Sequence, residues 1–331
     1  TFWQRLLMNS FQLIKKMVLL LRAEKAIKTV YYSYEDIIHR NSVKKNEALR
    51  DAYRNQRCFI LGTCVSLNEI NLHLLAGEYT FGCNYLYSHK NFKDLNIDFY
   101  TVISHVREFN YDNHYDTPYS FYSAINNNCV NKDTIFFFSC ANKNFFKKNA
   151  LLDGRKVHYV KFINPHKNRG PLVNDLSKRI TLFGGVLSFM VSAAIYMGFN
   201  EVYLCGCGYT YQPVLEYFFY DEYLDFCAHS YYQKPIFSID ISEEERDKKI
   251  REIESQNGIR LYNIKRKNSY DIATFVSDRQ VHPDHRIIKA FADANNVKIY
   301  NIIPDVFTSP VYKGVSWQYV VENVLAVKQV K

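Results

Sequence analysis

The chain has 331 residues, of which 47% are hydrophobic, so it can bury a full core as one large α/β domain with an appendage or as two smaller domains. Its formal net charge of +9 attracts polyanions such as nucleic acid, anionic lipid or a phosphorylated substrate. The sequence shows no zinc finger, RNA-binding aromatic signature or continuous basic helix, which argues against a nucleic-acid-binding protein.

Residues 1–56 predict a helical extension in front of the main domain. Apolar side chains such as Trp3 and Phe11 are interspersed there with basic ones such as Lys15 and Arg22. A basic amphipathic helix of this kind can lie in a membrane interface, and no apolar run approaches the roughly 20 residues that cross a bilayer. Contact of residues 1–30 with a membrane and packing of the helix on the domain or on a second subunit both stay open.

From residue 57 onward, predicted strands and helices alternate. Strands are predicted at residues 58–62, 79–84, 99–104, 134–140, 156–163, 201–206 and 298–302, and helices at 65–75, 185–197, 243–255 and 285–295. Residues 106–131 are predicted to be irregular, and the aromatic segment 209–240 to form a lid. The alternation predicts a Rossmann-like α/β domain over residues 57–331, with a parallel sheet and helices on both faces.

The eight cysteines are predicted to be reduced structural thiols, because several lie in or beside apolar strand-like runs. Cys205 and Cys207 lack the two-residue spacer of zinc and redox motifs, so we predict no metal site and no cofactor. The first residues lack the hydrophobic segment and cleavage site of a secretory signal. These observations predict a cytoplasmic protein, peripheral on the inner face of the plasma membrane if residues 1–30 bind lipid.

Small polar residues follow several predicted strands, where a parallel sheet binds its ligands. Gly62 ends the first strand, and the turn after it either presents backbone amides to an anion or is an ordinary strand-to-helix turn. Asn84 ends the second strand and either binds a base or ribose or caps the turn. Including the ends of the third strand and of the strand at 201–206, the predicted ligand-binding residues are Gly62, Thr63, Ser66, Asn84, Ser104 and Gly206.

Cationic side chains complete the predicted site. Arg179 either clamps a phosphate or carboxylate or is an ordinary surface arginine. His282 and His285 flank Pro283 and Asp284 at a predicted helix start, where a histidine can act as general base near neutral pH. The alternative is that Asp284 and its neighbours only cap the helix.

With these segments assembled, the sequence resembles a family of bacterial sialyltransferases of lipooligosaccharide synthesis. It also resembles a wider group of Rossmann-like glycosyltransferase domains that includes flagellin-modifying enzymes. The resemblance covers roughly residues 57–305 and rests on residues 59–70, 82–85, 178–181, 197–206 and 297–300.

The resemblance implies an inverting, metal-free transfer from a nucleotide sugar, with a cytidine monophosphate (CMP) donor favoured. Asn84 and Arg179 match donor-binding residues of the family, and Tyr211 and Tyr217 fall near its two phosphate-contacting tyrosines. His282 matches its catalytic base, with His285 as the alternative base. The implied partners are the nucleotide sugar and an oligosaccharide or glycolipid acceptor, and a homo-oligomer stays open.

Two departures bear on the sugar. Thr63 and Cys64 replace the family's Asn and second Gly in the first turn, and Gly208 stands where the family has Asp. The sugar is therefore expected to be sialic acid or another acidic sugar, with UDP and GDP donors left open. The rival hypotheses are a Mg²⁺-dependent pterin-type pyrophosphokinase and a non-catalytic scaffold that binds nucleotides or glycans.

Overall fold

A computed structural model describes residues 37–106, 117–163, 172–183, 185–207, 248, 282–303, 309 and 311–327. The predicted lid at 209–240, with Tyr211 and Tyr217, lies outside them, as do residues 1–36. The predicted helix at 243–255 also lies outside them, apart from Lys248.

Eleven strands in the described residues form two sheets. The strands are β1 (Arg57–Leu61), β2 (Tyr79–Cys83), β3 (Phe99–Val102), β4 (Ile135–Ser139), β5 (Lys156–Val160), β6 (Phe162–Ile163), β7 (Asn174–Asp175), β8 (Arg179–Thr181), β9 (Glu201–Cys205), β10 (Lys298–Ile302) and β11 (Lys313–Val315). The large sheet has eight strands in the order β11-β10-β9-β1-β2-β3-β4-β5, and the small sheet has the order β6-β8-β7. Every pairing in the large sheet is parallel, which confirms the predicted sheet type.

The chain enters the large sheet at its centre and extends in two directions. From β1 it moves outward strand by strand to β5, then returns so that β9 pairs with the other side of β1. From β9 it continues outward through β10 to β11. The reversal between β1 and β9 is a topological switch point, and open parallel sheets bind ligands in the crevice beyond the carboxyl ends of the strands there.

Both faces of the large sheet are covered, which explains the continuous apolar sequences of its strands. On β1, Cys58 and Ile60 belong to one core cluster, and Phe59 and Leu61 to the other. The first face carries α3 (Val186–Met197) and α4 (His282–Ala294). The second carries α1 (Pro118–Asn128), α2 (Lys143–Lys148), α5 (Trp317–Val320) and short 3-10 helices. Helices on both faces are thus confirmed.

Helix α1 corrects the prediction of an irregular segment at 106–131. Thr117 caps it by accepting a hydrogen bond from the Ser120 amide, and Pro118 occupies its first turn. The helix buries Phe121 and Ile125 against the sheet. Its many Asn and Tyr residues conceal this pattern because only one narrow face is apolar.

Other elements differ in type or length from the predictions. The helix predicted at 65–75 is two 3-10 helices, Val65–Glu69 and Leu72–Leu75. The strand predicted at 156–163 is divided into β5 and β6, which belong to different sheets. Helix α4 begins at His282 rather than at 285. Strands β7, β8 and β11 are too short for a periodic sequence pattern and were not predicted.

The described part of the N-terminal extension packs on the domain. Residues 37–44 are helical, Lys45–Leu49 is a 3-10 helix, and residues 50–55 form turns, so the helix prediction is wrong for that last stretch. The fully buried Asn46 side chain donates to the carbonyl oxygens of Tyr159 and Leu176, each at 2.8 Å. The Tyr53 ring stacks on Phe199 at 5.0 Å. The division at residue 56 stays a prediction.

Among the described residues, no helix combines the length and the apolar character that a membrane span requires.

Candidate functional site

Two glycine turns interlock at the topological switch point. Gly62 follows β1 and donates its amide to the Cys205 carbonyl at 2.8 Å, and the Cys64 amide donates to the Gly206 carbonyl at 3.0 Å. A Cβ atom on Gly62 would lie 2.3 Å from the Gly206 carbonyl oxygen, far inside van der Waals contact. Gly206 has φ +63°, and a Cβ there would lie 2.8 Å from Leu67 Cβ. Only glycines allow the two backbones to approach this closely.

The side chains of the first turn are enclosed. Thr63 is 8% and Ser66 is 7% exposed. The Ser66 hydroxyl makes no hydrogen bond within the described part of the chain, and an unpaired buried hydroxyl costs about 1–3 kcal/mol. A polar ligand at this turn would offset that cost.

The predicted helix after Gly62 is absent from the turn. The five-residue 3-10 helix Val65–Glu69 occupies its place, and the Leu67 amide already donates to the Cys64 carbonyl. The helix dipole grows with the number of aligned peptide units. A helix of five residues therefore offers little attraction for an anion. At this turn, a ligand would therefore meet the closely packed backbone and the Ser66 hydroxyl rather than a strong helix dipole.

Four buried cysteines surround the two glycines: Cys64, Cys83, Cys205 and Cys207. The seven cysteines in the described residues are all free, in agreement with the prediction of structural thiols. Burial raises the pKa of Cys83 to about 12 and raises that of Cys207 well above its ordinary value. Because the thiolate is the reactive form, these cysteines act as small apolar side chains rather than as nucleophiles.

Asn84 lies at the carboxyl end of β2, as predicted. Its φ of +48° is left-handed, a conformation that asparagine tolerates better than most residues. The Tyr100 hydroxyl donates to its carbonyl at 2.6 Å and holds the turn. The backbone conformation thus gives Asn84 a structural role besides the predicted contact with a base or ribose.

Ser104 lies just beyond β3, in a loop to which the Asn142 side chain is hydrogen-bonded. The Asn142 side chain donates to the Ser104 carbonyl at 2.9 Å and accepts from the Val106 amide at 3.0 Å. Between them, the His105 Nδ1 atom lies 3.4 Å from the Ser139 hydroxyl at the end of β4. His105 was not among the predicted site residues, although its position directly after the predicted strand at 99–104 could have indicated it.

The N-termini of α3 and α4 lie at the same edge of the sheet. Each helix precedes a strand of the large sheet; α3 packs against β1 and β3 of that sheet, α4 packs against β10, and the two helices pack against each other. In such units the helix runs antiparallel to its strand, so its N-terminus lies at the carboxyl edge. His282, the first residue of α4, is therefore at the edge that carries Gly62 and Asn84. The structure describes the backbone of His282 but not its side chain.

His285 lies one turn further into α4 and is fully buried. Its Nδ1 atom forms a hydrogen bond with the Tyr312 hydroxyl, and the two rings meet edge to face at 5.6 Å. A general base has to reach the proton it removes. Full burial therefore weakens His285 as the alternative base and leaves His282 as the stronger candidate.

Arg179 lies apart from the switch point. It begins β8 of the small sheet, whose partner β6 follows directly on the edge strand β5. Helix α3 packs against both β8 and β1, and so connects the Arg179 region to the Gly62 turn. The structure thus brings Gly62, Thr63, Ser66 and Gly206 together, places Asn84 and Ser104 on the adjoining strand ends, and puts Arg179 at the periphery.

The turns that follow β1, β2, β3, β4 and β9 are poor in acidic residues, although Asp284 lies in the first turn of α4 at the same edge. The strand ends and the loops that follow them at 62–67, 84–89, 103–106, 140–146 and 206–207 contain no Asp or Glu. At the opposite edge, four acidic residues precede or begin strands: Glu78, Asp98, Asp133 and Glu201. No cluster of three potential metal ligands occurs among the described residues. This charge distribution favours an anionic ligand at the carboxyl edge.

Comparison with known proteins finds a likeness in structure only. No protein-family model matches the chain, and no curated protein matches it in sequence. The sialyltransferase CstII from Campylobacter jejuni, in complex with the substrate analogue cytidine-5'-monophosphate, is 13% identical with a TM-score of 0.36, over 80% of this chain and 86% of that chain. A sialyltransferase CST-II structure with trisaccharide acceptor and CMP is also 13% identical at a TM-score of 0.36, over 83% and 89%.

A third similar structure is the MAf glycosyltransferase from Magnetospirillum magneticum AMB-1. It is 11% identical with a TM-score of 0.38, over 84% of this chain and 38% of that chain. These are a sialyltransferase and a glycosyltransferase, the enzyme classes that the sequence motifs resemble. At these identities and TM-scores the likeness carries no argument about activity, which has to rest on the site itself.

Proposed function

We propose that this protein is a glycosyltransferase whose nucleotide-sugar donor binds beyond the carboxyl ends of β1 and β9. The observation that carries the proposal is the pair of interlocked turns at Gly62 and Gly206, with the buried Ser66 hydroxyl beside them. The crevice lies at the topological switch point, and its acid-poor rim suits a phosphate-bearing ligand. The resemblance of residues 59–70 and 197–206 to glycosyltransferase motifs supports sugar transfer as the reaction.

The donor is proposed to be a CMP-linked acidic sugar. Its phosphate would lie at the Gly62 turn, where Ser66 donates to it, and its ribose near Asn84. Tyr211 and Tyr217 would contact the phosphate as charge develops on it, and Arg179, at the periphery, would pair with the carboxylate of the acidic sugar. The acceptor is proposed to be a surface oligosaccharide or glycolipid, with residues 1–30 of the protein resting on the inner face of the membrane.

The proposed step is an inverting displacement. His282 takes the proton from an acceptor hydroxyl, whose oxygen bonds to the anomeric carbon from the side opposite the leaving group. The bond between that carbon and the phosphate oxygen breaks, its electron pair stays with the phosphate, and cytidine monophosphate leaves. No step in this scheme requires a metal ion.

The rival pyrophosphokinase function fits the site less well. Mg²⁺ in such enzymes is bound through carboxylates together with substrate phosphates. The loops that follow β1, β2, β3 and β4 carry none at 62–67, 84–89, 103–106 and 140–146. The proposed donor site therefore favours sugar transfer without a metal.

The test combines binding with turnover. CMP, UMP and GMP are added to the full chain, and thermal unfolding is followed; a ligand at a hundred times its dissociation constant stabilises by about 2.7 kcal/mol. CMP-, UDP- and GDP-sugars are then assayed for transfer and for release of nucleotide, with and without EDTA. We expect stabilisation by CMP and EDTA-resistant turnover of a CMP-sugar.

Two results would contradict the proposal. Binding of nucleotides without any turnover, across a panel of glycan acceptors, would indicate a non-catalytic scaffold. The same chain is also assayed with ATP and Mg²⁺, and diphosphate transfer that EDTA abolishes would instead indicate the pyrophosphokinase.

A further inference from the structure

One imidazole at the carboxyl edge is held from several directions. His105 follows β3, and the backbone on either side of it is fixed by the fully buried Asn142 side chain. Asn142 is itself held, since its amide also donates to the Tyr122 hydroxyl at 3.2 Å. The peptide units around His105 are therefore pinned by side chains from α1 and the β4 loop.

The ring of His105 is oriented as well. Its Nδ1 atom lies 3.4 Å from the Ser139 hydroxyl, which also accepts from the Ala141 amide at 3.3 Å. Ser139 is 3% exposed, so its hydroxyl is a fixed partner rather than a surface group. Because Ser139 binds Nδ1, it fixes the plane in which the imidazole ring lies.

The nearby His89 behaves differently. It is 4% exposed, and burial lowers its pKa to about 4. It is a core histidine that stays neutral. His105 is only half-buried and lies at the rim beyond β3. A histidine that is oriented by a buried network yet reaches the rim is placed for binding rather than for packing.

The sheet topology indicates which part of a nucleotide His105 would meet. In doubly wound sheets the phosphate lies at the first strand-to-helix turn, and a side chain about 20 residues later, at the end of the second strand, bonds the ribose. Gly62 and Asn84 occupy these two positions on β1 and β2. The base then lies further along the same edge, at β3. Two strand spacings, about 10 Å, separate β3 from β1.

We propose that His105 contacts the nucleobase of the donor and determines which base is accepted, with Ser139 as its positioning residue. The inference rests on the proposed function, since it assumes a nucleotide at the Gly62 turn. It assigns the base to the rim formed by the ends of β3 and β4. There, the imidazole ring hydrogen-bonds to the edge of the base.

The test separates the base from the rest of the nucleotide. Dissociation constants of CMP, UMP, cytidine and ribose 5-phosphate are measured by calorimetry for the full chain and for His105→Ala, His105→Gln and Ser139→Ala. We expect His105→Ala to weaken CMP and cytidine by the same factor, about tenfold for one lost hydrogen bond, and to reduce the preference between CMP and UMP. Ribose 5-phosphate, which has no base, should bind with unchanged affinity.

The controls address structure and orientation. His73→Ala removes an exposed histidine near Asp94, far from the proposed site, and should change none of the four affinities. Ser139→Ala should weaken CMP and cytidine less than His105→Ala does, about threefold, and Ser139→Thr should restore them. Melting temperatures establish that each variant is folded, and His105→Gln replaces His105→Ala if the latter is not.

The outcomes distinguish this inference from the proposed function. If His105→Ala weakens ribose 5-phosphate as much as CMP, or changes no affinity, the base assignment is overturned while the glycosyltransferase proposal stands. If the wild-type chain binds nucleotides with the expected His105 dependence but transfers no sugar, the proposed function fails and the base site stands. If the wild-type chain binds none of the four ligands, both are overturned.

Discussion

At the amino edge of the large sheet, the Arg57 guanidinium donates to both carboxylate oxygens of Glu78, at 2.8 and 2.6 Å. At the carboxyl edge of the same strand, the Ser66 hydroxyl is equally buried but has no hydrogen-bond partner in the described residues. Arg57 further donates to the carbonyls of Val324 and Val327, which ties the C-terminal segment over the amino edge.

The two edges differ in how these buried polar groups are partnered. At the amino edge, the buried charges of Arg57 and Glu78 are paired with each other, and this hydrogen bonding raises the pKa of Arg57 above its ordinary value. The Gln56 side-chain oxygen beside them has no hydrogen-bond partner among the described residues. At the carboxyl edge, Gly62 and Gly206 have no Cβ atom, and the two backbones can therefore approach each other closely. We infer that the first edge holds the fold together and that the second is kept for a ligand.

The largest expected effect lies at the carboxyl edge. His282→Ala should lower the rate of sugar transfer about 10²–10⁴-fold, the usual contribution of a general base, and leave nucleotide affinity nearly unchanged. Transfer is measured under saturating donor and acceptor, and affinity by calorimetry. His73→Ala serves as the control and should transfer at the wild-type rate. Near-normal turnover in the His282 variant would remove the histidine from the mechanism.

The next effect concerns the amino edge. Arg57→Ala should lower the free energy of unfolding by about 3–5 kcal/mol, because it leaves the buried Glu78 carboxylate without its partner. Urea denaturation measures this loss. Nucleotide affinity of the folded fraction should not change, since the opposite edge is untouched.

Two further variants sharpen that result. Arg57→Met combined with Glu78→Leu should recover most of the lost stability, because it removes both charges together. Arg54→Ala breaks an exposed pair with Asp51 and should have no measurable effect. If Arg57→Ala were as harmless as Arg54→Ala, the amino edge would not hold the fold as we infer.

The smallest effect has opposite signs in two measurements. Ser66→Ala removes a buried hydroxyl without a described partner, so it should raise the free energy of unfolding of the ligand-free protein by about 1 kcal/mol. The same change should weaken CMP binding several-fold, because the proposed contact with phosphate is lost.

The matched control is Ser188→Ala. Ser188 is also fully buried, but its hydroxyl donates to the carbonyls of Phe183 and Gly185. Its loss should therefore destabilise the protein by about 1 kcal/mol. Equal destabilisation by both variants would show that the Ser66 hydroxyl serves the fold rather than a ligand.

Part of the fold could be predicted because the chemistry of the strands is local. The apolar runs that became β1 and β9 are recognisable from their own residues, and so are the glycines that end them. Helix α1 could not be predicted in the same way, because its apolar face consists of few residues among many Asn and Tyr. The small sheet could not be predicted either, since two- and three-residue strands exist only through their partners.

The residues of the candidate site also fall into those that the sequence predicted and those that it did not. Gly62, Asn84 and Ser104 were predicted from their positions at strand ends, and the structure places them along one edge of the sheet. His105 was missed because its significance comes from Asn142 and Ser139, which approach it from another strand. The burial of His285 was also hidden, because Tyr312, which covers it, lies beyond β10 in the sequence.

From residue pattern alone, the chain determined seven of the eight strands of its large sheet, the type of that sheet and the small polar turns at the ends of those strands, because backbone propensity and hydrophobic periodicity act over short distances. The tertiary structure decided the order of the strands, and hence that the turns at Gly62 and Gly206 meet at the point where that order reverses. It also decided which buried polar groups find a hydrogen-bond partner within the described residues and which, such as the Ser66 hydroxyl, do not, since that depends on contacts between segments far apart in the sequence.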